Sequence, residues 1–454
     1  MKRVSLYFDI ILRTECQNFI GSIGLQWKWG SMFWVDSIVV LCSVFCMEIL
    51  QFKECFFLKY LWIGVGNSTE GRAHVEKNGG KLLSAEVSND SLVSGLYCNN
   101  IVCDTINSSR LPEYPNYPEK VIPSFEWVED NGSKGKSVSY LNYKYINLIS
   151  KKLSLIKEAK VWAHENINEE VVVFIYQMHT PFMAAAAAVK KIIPSAKVVL
   201  IVPDLPQFMD MNMSRLKKVL KAIDWKSIQK YMKSVDKYIL YSKHMAEFLG
   251  LKDGTWIVME GSYDPSLLID DSDIQKDDSK FSIMYSGVLD LRYGIRELLD
   301  AMNLLDENYE LWLTGNGNAV PLIEERAKSD SRIKFYGFLP SRVDLLKKQH
   351  EATMLISTRD PSEEASKYCF PSKIFEYMVS GNPVLSTAID GIPEEYFSHL
   401  VVLPDIRPET IADRIKYVAE MNPQSRHSFG CNAKSFVLNK KNNVVQMKNV
   451  LDFI

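Results

Sequence analysis

The sequence predicts an α/β protein with two parallel sheets that face a central cleft. Two series of short apolar segments alternate with amphipathic helices, which is the pattern of parallel sheets covered on both faces. The stretch 264–279 between the two series contains proline and is strongly acidic, as expected of a solvated linker between domains. Ligands of such sheets bind beyond the carboxyl ends of the strands, so we expect the functional site in the cleft.

The first series supplies the N-terminal sheet. Its expected strands are 4–12, 36–44, 171–176, 197–202 and 237–241, with an alanine-rich helix at 182–193. Residues 64–135 are rich in Asn, Ser and Gly and contain four prolines, so we expect an irregular, loop-rich insertion there.

The second series supplies the C-terminal sheet. Its expected strands are 281–285, 309–314, 333–336, 353–356 and 383–386, and its expected helices are 294–304, 318–328, 341–349, 372–380 and 407–420.

Composition excludes several classes of protein. The 454 residues are 47% hydrophobic and 24% charged, which excludes global disorder, collagen and a bare coiled coil. The net charge of -2 excludes a polycation that binds nucleic acid along its whole length. Eight cysteines are too few for a disulfide scaffold and lack the spacing of a zinc site, so we expect reduced thiols and no bound metal.

The sequence contains no stretch that is long and apolar enough to predict a membrane-spanning helix. The most apolar stretch, between Asp36 and Glu48, has only eleven uncharged residues, whereas a spanning helix needs about 20. We therefore expect a cytoplasmic protein. Residues 215–243 carry nine basic and two acidic residues, with apolar residues at helical spacing, and we expect two amphipathic helices whose apolar stripes face the core. The lysines then form either a solvated basic face or a contact with anionic lipid.

The most informative motif runs from Phe370 to Met378 (FPSKIFEYM) and continues into a Gly-Asn-Pro-Val turn. Pro371 and Ser372 suit the beginning of a helix, where free backbone N–H groups favour a phosphate. Lys373 adds a positive charge there, and Glu376 lies one turn further along, where its carboxylate can accept bonds from the hydroxyls of a ribose. Alone, the motif is equally consistent with a solvated Lys–Glu pair.

With this motif the chain resembles the GT-B glycosyltransferases, in particular the retaining family with capsule and exopolysaccharide transferases. In that family a Glu, seven residues and a second Glu precede a Gly-x-Pro-Val turn. Glu376 matches the second Glu, which implies contact with the donor ribose, whereas Tyr368 stands where the first Glu should be. Glu363 and Glu364 lie just upstream as alternatives to that first Glu.

Further segments of the C-terminal half fit the resemblance. The segment YSGVL, which contains Gly287, resembles the loop that opens the donor domain, but Val288 and Tyr293 replace the two basic residues that relatives aim at the pyrophosphate. Arg292 and Lys373 are our candidates for the missing charge. The resemblance also implies donor-binding positions at Gly315 and Gly317, in a Gly-x-Gly loop, and at Tyr336, on the edge that reads the nucleobase.

The N-terminal half has complementary features. Gly24, in the segment FIGSIGLQ, matches the glycine-rich loop of the family. His179 lies between an expected strand and an expected helix, so we expect it to point into the cleft, although a lone His is equally often structural. Asp204 follows the next strand and is a candidate for orienting an acceptor hydroxyl; Pro203 replaces the His of relatives.

The resemblance implies four segments: an acceptor-side domain at 1–262 with the insertion at about 64–135, a linker at 263–280, a nucleotide-sugar-binding domain at 281–435, and a helix at 436–454 returning to the first domain. It implies a retaining transferase that moves a sugar from a nucleotide diphosphate, most readily UDP, to a lipid-linked or oligosaccharide acceptor without metal or cofactor. Two alternatives stay open: a nucleotide-sugar 2-epimerase of the same fold, and a non-catalytic subunit of a polysaccharide assembly complex, which Tyr368 suggests.

Overall fold

Two mainly parallel sheets organise the chain in a computed structural model. The model describes residues 58–80, 84–208, 215–270, 274–277, 279–339 and 341–454. The expected strands 4–12 and 36–44 and the loop around Gly24 lie outside the described residues. From Leu58 onward the chain belongs to one compact unit.

The first sheet has eight strands within the described residues, and a separate antiparallel ribbon has two. The sheet contains β1 (Lys59–Val65), β2 (Cys103–Ser108), β4 (Phe125–Val128), β5 (Lys134–Ser137), β7 (Val171–Tyr176), β8 (Lys197–Val202), β9 (Lys237–Leu240) and β10 (Trp256–Val258), and the ribbon pairs β3 (Val121–Ile122) with β6 (Tyr140–Leu141). The order across the sheet is β10-β9-β8-β7-β1-β2-β5-β4, and all pairs are parallel except β4 with β5.

The helices of this half are α1 (Thr69–Lys77), α2 (Ser84–Cys98), α3 (Ile146–Glu165), α4 (Thr180–Ile192), α5 (Arg215–Met232) and α6 (His244–Leu249).

The second sheet has six described strands, all parallel, in the order β13-β12-β11-β14-β15-β16. These strands are β11 (Phe281–Val288), β12 (Tyr309–Asn316), β13 (Ile333–Phe335), β14 (Met354–Ser357), β15 (Val384–Thr387) and β16 (Val401–Leu403). The remaining helices are α7 (Ile295–Ala301), α8 (Val320–Ser329), α9 (Arg342–Glu351), α10 (Lys373–Val379), α11 (Pro408–Glu420), α12 (Pro423–Lys440) and α13 (Asn443–Phe453).

Both sheets change direction beside the first strand that the structure describes in each. From β1 the chain adds β2 on one side and returns to add β7 on the other, and from β11 it adds β12 and then returns to add β14. At such a switch point the flanking loops leave in opposite directions and open a crevice at the carboxyl edge. Continuous apolar strands such as Val171–Tyr176, which is buried throughout, explain why the sequence pattern predicted these parallel strands well.

The expected loop-rich insertion at 64–135 is wrong. This segment contains α1, α2 and the strands β2, β4 and β5 of the first sheet. Strand β2 has the sequence CDTINS, and its polar residues Thr105, Asn107 and Ser108 are buried. A prediction based on apolar periodicity misses such a strand because its buried face is polar.

The C-terminal helix α13 lies on the first half of the molecule. The Asn443 amide donates to the Ser91 carbonyl at 2.9 Å, and the Asn99 amide donates to the Val444 carbonyl at 2.9 Å. Met447 and Val450 are buried in the core of the first sheet. The chain therefore crosses between the halves twice, once before β11 and once after α12.

A buried ion pair joins these two crossings. The Lys441 ammonium lies 2.5 Å from the Glu260 carboxylate and 2.6 Å from the Glu395 carboxylate. The Tyr396 hydroxyl also donates to Glu260. Because a buried charge is costly without a partner, this cluster fixes the junction.

Residues 215–232 form one helix, α5, where two were expected, and the apolar stripe expected on the core side is wrong in part. Helix α5 exposes Val219, Leu220 and Ile223, which are 56%, 41% and 57% accessible. Further along the same helix Ile228 is fully buried, and Tyr231 packs against the core as expected. The stretch 217–223 of α5 therefore presents apolar and basic side chains together to solvent.

Candidate active site

A cavity of about 370 Å³ opens at the carboxyl edge of the first sheet. Residues that follow β1, β2, β7 and β8 line it, so it lies at the switch point of this sheet. Its charged and polar lining includes Arg110, Glu113, Lys151, His179, Asp204 and Asp224. Cations and carboxylates line the same cavity, which suits a ligand with many hydroxyl groups better than a strongly charged one.

His179 precedes the first residue of α4, where the chain turns from β7 into the helix, and it lines this cavity as expected. Burial and the nearby positive charges of Lys151 and Arg110 lower its pKa to about 3, so the imidazole is neutral at neutral pH. Its Nδ1 is buried and makes no hydrogen bond to the described residues. The ring packs edge-on against Phe182, with 4.9 Å between centroids. His179 can therefore exchange a hydrogen bond with a ligand but does not supply a positive charge.

Asp204 lies in the loop after β8 and is accessible from the cavity. The surrounding protein desolvates the carboxyl and raises its pKa, while the positive charges of Arg359 and Arg110 act in the opposite direction. Because Arg359 belongs to the second half of the molecule, Asp204 lies where the two halves face each other. This place agrees with the expected role in orienting an acceptor hydroxyl, which stays a prediction.

Lys151 is a cavity residue that the sequence analysis missed. It projects from α3, donates to the Ser109 carbonyl at 3.0 Å, and lies 4.3 Å from the ring centroid of Tyr140. Burial, with a smaller contribution from Arg110, lowers its pKa to about 8. Its position in the middle of an amphipathic helix gave no signal, because only the fold brings it to the cavity.

Glycines shape the carboxyl edge of the second sheet. A Cβ atom on Gly315 would lie 1.8 Å from the Gly287 carbonyl oxygen, and one on Gly317 would lie 2.0 Å from that of Leu289. These two glycines therefore serve the close packing of neighbouring loops. Gly287 has a φ of 120° and open space where a side chain would stand, so the backbone is accessible there.

Arg292 is held by Asp290. Its Nε and Nη2 atoms donate to the two carboxylate oxygens at 3.1 and 2.8 Å, and these bonds are the main reason that the pKa of Asp290 falls to about 2. The guanidinium therefore already has a counterion. Arg292 as the cation for a diphosphate stays a prediction that the observed pairing does not favour.

Lys373 lies in the first turn of α10, with its Nζ 3.6 Å from the ring centroid of Tyr285. Burial, and secondarily the charge of Arg359, lowers its pKa to about 7. Tyr377, one turn later, fixes the helix by accepting from the Ser286 N–H at 2.8 Å and donating to the Ser286 carbonyl at 2.9 Å. Tyr377 thus anchors α10 to the end of β11, and this anchor sets the position of Lys373.

The expected binding of phosphate by the first amides of α10 is not favoured. Helix α10 has only seven residues, and the N–H groups of Ile374 and Phe375 already donate to the carbonyls of Pro371 and Ser372 at 2.9 and 3.2 Å. The Ser372 side chain is exposed and makes no capping bond. Side chains, above all Lys373, therefore remain as the groups that can bind an anion here.

Glu376 is paired with Arg342. The Arg342 Nη2 atom in α9 lies 2.7 Å from Glu376 Oε1. The side chain of Glu376 is 24% accessible, and the bond from Arg342 goes to Oε1 rather than to Oε2. Arg342 thus orients the carboxylate and leaves one oxygen for a ligand. Nothing near Glu376 in the sequence signalled a partner 34 residues away.

Tyr336 is 38% accessible and lies at the end of β13. Its ring packs edge-on against Trp312 with 6.0 Å between centroids, and the Lys348 ammonium lies 4.8 Å from it. The Tyr336 N–H donates to the Leu313 carbonyl at 2.9 Å, so it is not available to a nucleobase. The role of this edge in reading a base stays a prediction.

Tyr368 contacts the first half of the molecule. Its ring stacks on Phe208 with 4.6 Å between centroids and meets Phe248 edge-on at 5.4 Å. The adjacent Lys367 carbonyl accepts a bond from the Ser242 hydroxyl at 2.5 Å. The residue in place of the first Glu thus joins the two halves beside the cleft.

Two other features escaped the sequence analysis. Gly66 follows β1 with a φ of 149°, and Ser68 then caps α1 by accepting from the Gly71 N–H at 2.9 Å. A glycine-rich turn therefore follows the first described strand, whereas the sequence analysis sought it at Gly24. The second feature is Arg359, which follows β14. Its role depends on neighbouring loops, so no motif around it in the sequence marked it.

The described residues contain neither a membrane-spanning helix nor a cluster of metal ligands. No helix among them is both long and apolar enough to cross a membrane. Within the same part of the chain, no group of three His, Cys, Asp or Glu residues could hold a metal ion.

Part of the second half matches a known family model. Residues 269–436 match the model described as glycosyl transferases group 1. This matched segment, the group 1 domain, contains Lys373, Glu376 and the glycine loops. No curated protein matches the chain by sequence.

Solved structures resemble the whole described architecture. The Anabaena protein HepE in complex with UDP has a TM-score of 0.60 at 15% identity, covering 87% of this chain and 98% of that one. The structure of HepE with UDP-glucose has a TM-score of 0.56 at 13% identity, covering 86% of this chain and 98% of that one. Sucrose-phosphate synthase from Thermosynechococcus elongatus has a TM-score of 0.59, and the lipopolysaccharide outer core galactosyltransferase WaaB has a TM-score of 0.53. Both are 14% identical to this chain, and each comparison covers 87% of this chain and 98% of the other.

These similarities confirm the expected fold, an α/β protein of GT-B architecture with two Rossmann-like domains. The group 1 domain and its structural neighbours together support a glycosyltransferase.

Proposed function

We propose that the chain is a retaining glycosyltransferase that transfers a sugar from a nucleotide diphosphate, UDP in the first instance, to a hydroxyl of a lipid-linked or oligosaccharide acceptor. The observation that carries this proposal is the difference between the two edges of the cleft. The group 1 domain offers Lys373 and an oriented Glu376, which suit a nucleotide diphosphate, whereas the other half offers a cavity lined by mixed polar groups, which suits a sugar acceptor. HepE, which has the same fold, binds UDP and UDP-glucose.

In the proposed reaction, the bond between the anomeric carbon and the oxygen of the β-phosphate breaks while the acceptor oxygen attacks the same face of the sugar. The departing phosphate oxygen takes the proton of the acceptor hydroxyl, so no protein nucleophile is required. Negative charge grows on the leaving diphosphate, and the Lys373 ammonium stabilises it in a desolvated place where electrostatic interactions are strong. Asp204 and the neutral His179 orient the acceptor hydroxyl by hydrogen bonds.

A panel of nucleotide sugars with short glycan and lipid-linked acceptors tests this function. We expect one donor to give a product whose anomeric configuration, read by NMR, equals that of the donor. Because protein cations neutralise the leaving group in this proposal, transfer should survive EDTA. An inverted product would contradict the retaining mechanism, and a donor that changes configuration at C2 without any acceptor would instead identify an epimerase.

The pathway we propose is the synthesis of a surface polysaccharide of the capsule or exopolysaccharide type, on the cytoplasmic face of a membrane. Helix α5 supports the membrane contact because it exposes Val219, Leu220 and Ile223 within a segment, 215–243, of net charge +7. Each basic residue near an anionic surface contributes up to ~1 kcal/mol, and the apolar side chains add burial. A lipid-linked acceptor would then be presented to the enzyme at the membrane surface.

Co-sedimentation with vesicles tests this contact. We expect binding to anionic vesicles at low salt, loss at 1 M salt where the Debye length is about 3 Å, and loss when Lys217, Lys218 and Lys221 become Glu. The matched control changes three exposed lysines elsewhere, Lys252, Lys328 and Lys440, to Glu and should bind as the wild type does. Equal binding to neutral and anionic vesicles, or none to either, would refute the membrane contact.

A further inference from the structure

Two basic side chains at the carboxyl edge of the second sheet form no salt bridge with any residue that the structure describes. Lys373 lies in α10, and Arg359 follows β14, two residues beyond Ser357. Strands β11 and β14 are neighbours at the switch point of this sheet, so the loop with Arg359 leaves beside the loop with Gly287. A crevice opens at such a point and is where ligands of these sheets bind.

Arg359 is positioned by contacts that leave most of its donors unused. Its Nε atom donates to the Ser366 hydroxyl at 3.2 Å, and its guanidinium carbon lies 5.1 Å from the ring centroid of Tyr293. Among the described residues, neither terminal nitrogen makes a hydrogen bond. The flat guanidinium therefore rests on an aromatic ring, as arginine often does, and keeps its planar pair of terminal donors for a ligand.

Arg359 and Lys373 are close enough to repel each other. The charge of Arg359 is one cause of the low pKa of Lys373, and Lys373 in turn rests on the ring of Tyr285. The other titratable groups that face Lys373 are Tyr285 from β11 and Tyr377 on its own helix, both of which stay neutral because burial raises their pKa. Two cations that lie near each other repel, and an anion bound between them would relieve that repulsion.

A diphosphate is the anion that best fits this pair of cations. An arginine fork matches two oxygens of one phosphate, and a lysine ammonium supplies a point charge to a second. Across the cleft, Arg359 also favours the ionised form of Asp204, so the site lies where donor and acceptor sides meet. The ring under the arginine, Tyr293, stands next to Arg292, whose charge is already paired with Asp290.

We propose that Arg359 and Lys373 together bind the diphosphate of the nucleotide donor, so that Arg359 replaces a basic residue that the 288–293 loop does not provide. This inference rests on the proposed function, because it assigns a residue to the donor site of the same reaction. Arg359 contacts the phosphate through its terminal nitrogens, and Tyr293 and Ser366 position it.

Calorimetric titration of UDP, uridine and inorganic pyrophosphate into the full chain tests the proposal. We expect Arg359→Ala to weaken UDP and pyrophosphate about 10- to 100-fold, because bonds to charged groups are the strong ones, and to leave uridine unchanged. Arg359→Lys should recover part of the affinity, since it keeps the charge without the fork. Lys373→Met should show the same selectivity for the phosphate-containing ligands. The matched control, Arg407→Ala, removes an exposed arginine that is paired with Asp405.

The outcomes separate this site from the proposed function. Equal losses of UDP and uridine affinity in Arg359→Ala would show that Arg359 only supports the surrounding loops and would overturn the proposal, as would unchanged UDP affinity in both variants. A wild-type chain that binds neither UDP nor pyrophosphate would also overturn it. If the selective loss is seen but no nucleotide sugar is ever transferred, the anion site stands and the proposed transferase function fails.

Discussion

The two edges of the cleft differ in how their charges are arranged. At the edge of the first sheet, Arg110 and Lys151 share one cavity with Glu113, Asp204 and Asp224, so groups of both charges line the same space. At the edge of the second sheet, carboxylates are already engaged by arginines, as Asp290 is by Arg292, while Arg359 and Lys373 form no salt bridge with the described residues. One edge suits many hydroxyls and the other an anion, so charge as well as fold supports the division between acceptor and donor that we propose.

The largest effect is expected at the junction of the two halves, where Lys441 and Glu260 form a buried ion pair. Lys441→Met leaves the Glu260 carboxylate buried without its cation, and breaking such a pair costs about 3–5 kcal/mol. We expect the free energy of unfolding from urea titration to fall by that amount. The exposed pair of Arg407 and Asp405 is the control, and Arg407→Ala should leave the free energy of unfolding almost unchanged, because exposed ion pairs contribute little. Similar small changes in both variants would show that the junction does not depend on this pair.

The next effect concerns the reaction rate. Lys373→Ala removes the cation closest to the growing charge of the leaving group, and we expect kcat to fall by about 10²–10³-fold, with a smaller change in donor KM. Steady-state kinetics with the donor identified in the panel measures both. A change in KM alone would mean that Lys373 binds the donor equally in the ground state and the transition state.

Glu376→Ala should act on donor binding. The Oε2 atom can accept a bond from a ribose hydroxyl, and one bond to a charged group is worth about 1.5–3 kcal/mol, so donor affinity should fall about 10- to 100-fold. Arg342→Ala separates the two roles of the carboxylate, because it frees Glu376 without removing it. If both variants lose affinity and stability equally, Glu376 serves only its pair with Arg342.

Asp204→Asn tests the edge of the first sheet, where we propose that the acceptor binds. The amide keeps the shape but loses the charge that orients the acceptor hydroxyl, and we expect acceptor kcat/KM to fall about tenfold while UDP affinity stays unchanged. Acceptor titration at saturating donor gives the first quantity, and calorimetry gives the second. A loss of UDP affinity would place Asp204 on the donor side.

The last expected effect is a pH dependence. The pKa of Lys373 is about 7 in the unliganded protein, and a bound diphosphate favours the charged form and raises that pKa. Below pH 7 the lysine is charged in both states, whereas above pH 7 binding must take up a proton. The affinity for UDP-glucose should therefore fall as pH rises from 7 to 9, by up to tenfold per unit, and Lys373→Met should abolish the slope. An affinity that rises with pH would contradict the assignment.

The sequence predicted the parallel strands because their residues, such as those of Val171–Tyr176, are apolar throughout. It failed for β2, whose buried residues include Asn107, because polar side chains there hide the strand. Motif spacing singled out Lys373 and Glu376 as candidates for the donor site, which stays a prediction. It could not identify Arg359 or the Arg342 partner, since their neighbours come from distant parts of the chain and only folding brings them together.

Hydrogen–deuterium exchange with and without UDP tests the central claim most directly, because it reports both edges of the cleft in one measurement. We predict protection in the segments 287–294, 314–318 and 358–376 of the second half, and no change in the segments 108–110, 178–180 and 203–205 of the first half. Protection confined to the first half would contradict the assignment of the donor to the group 1 domain and of the cavity to the acceptor.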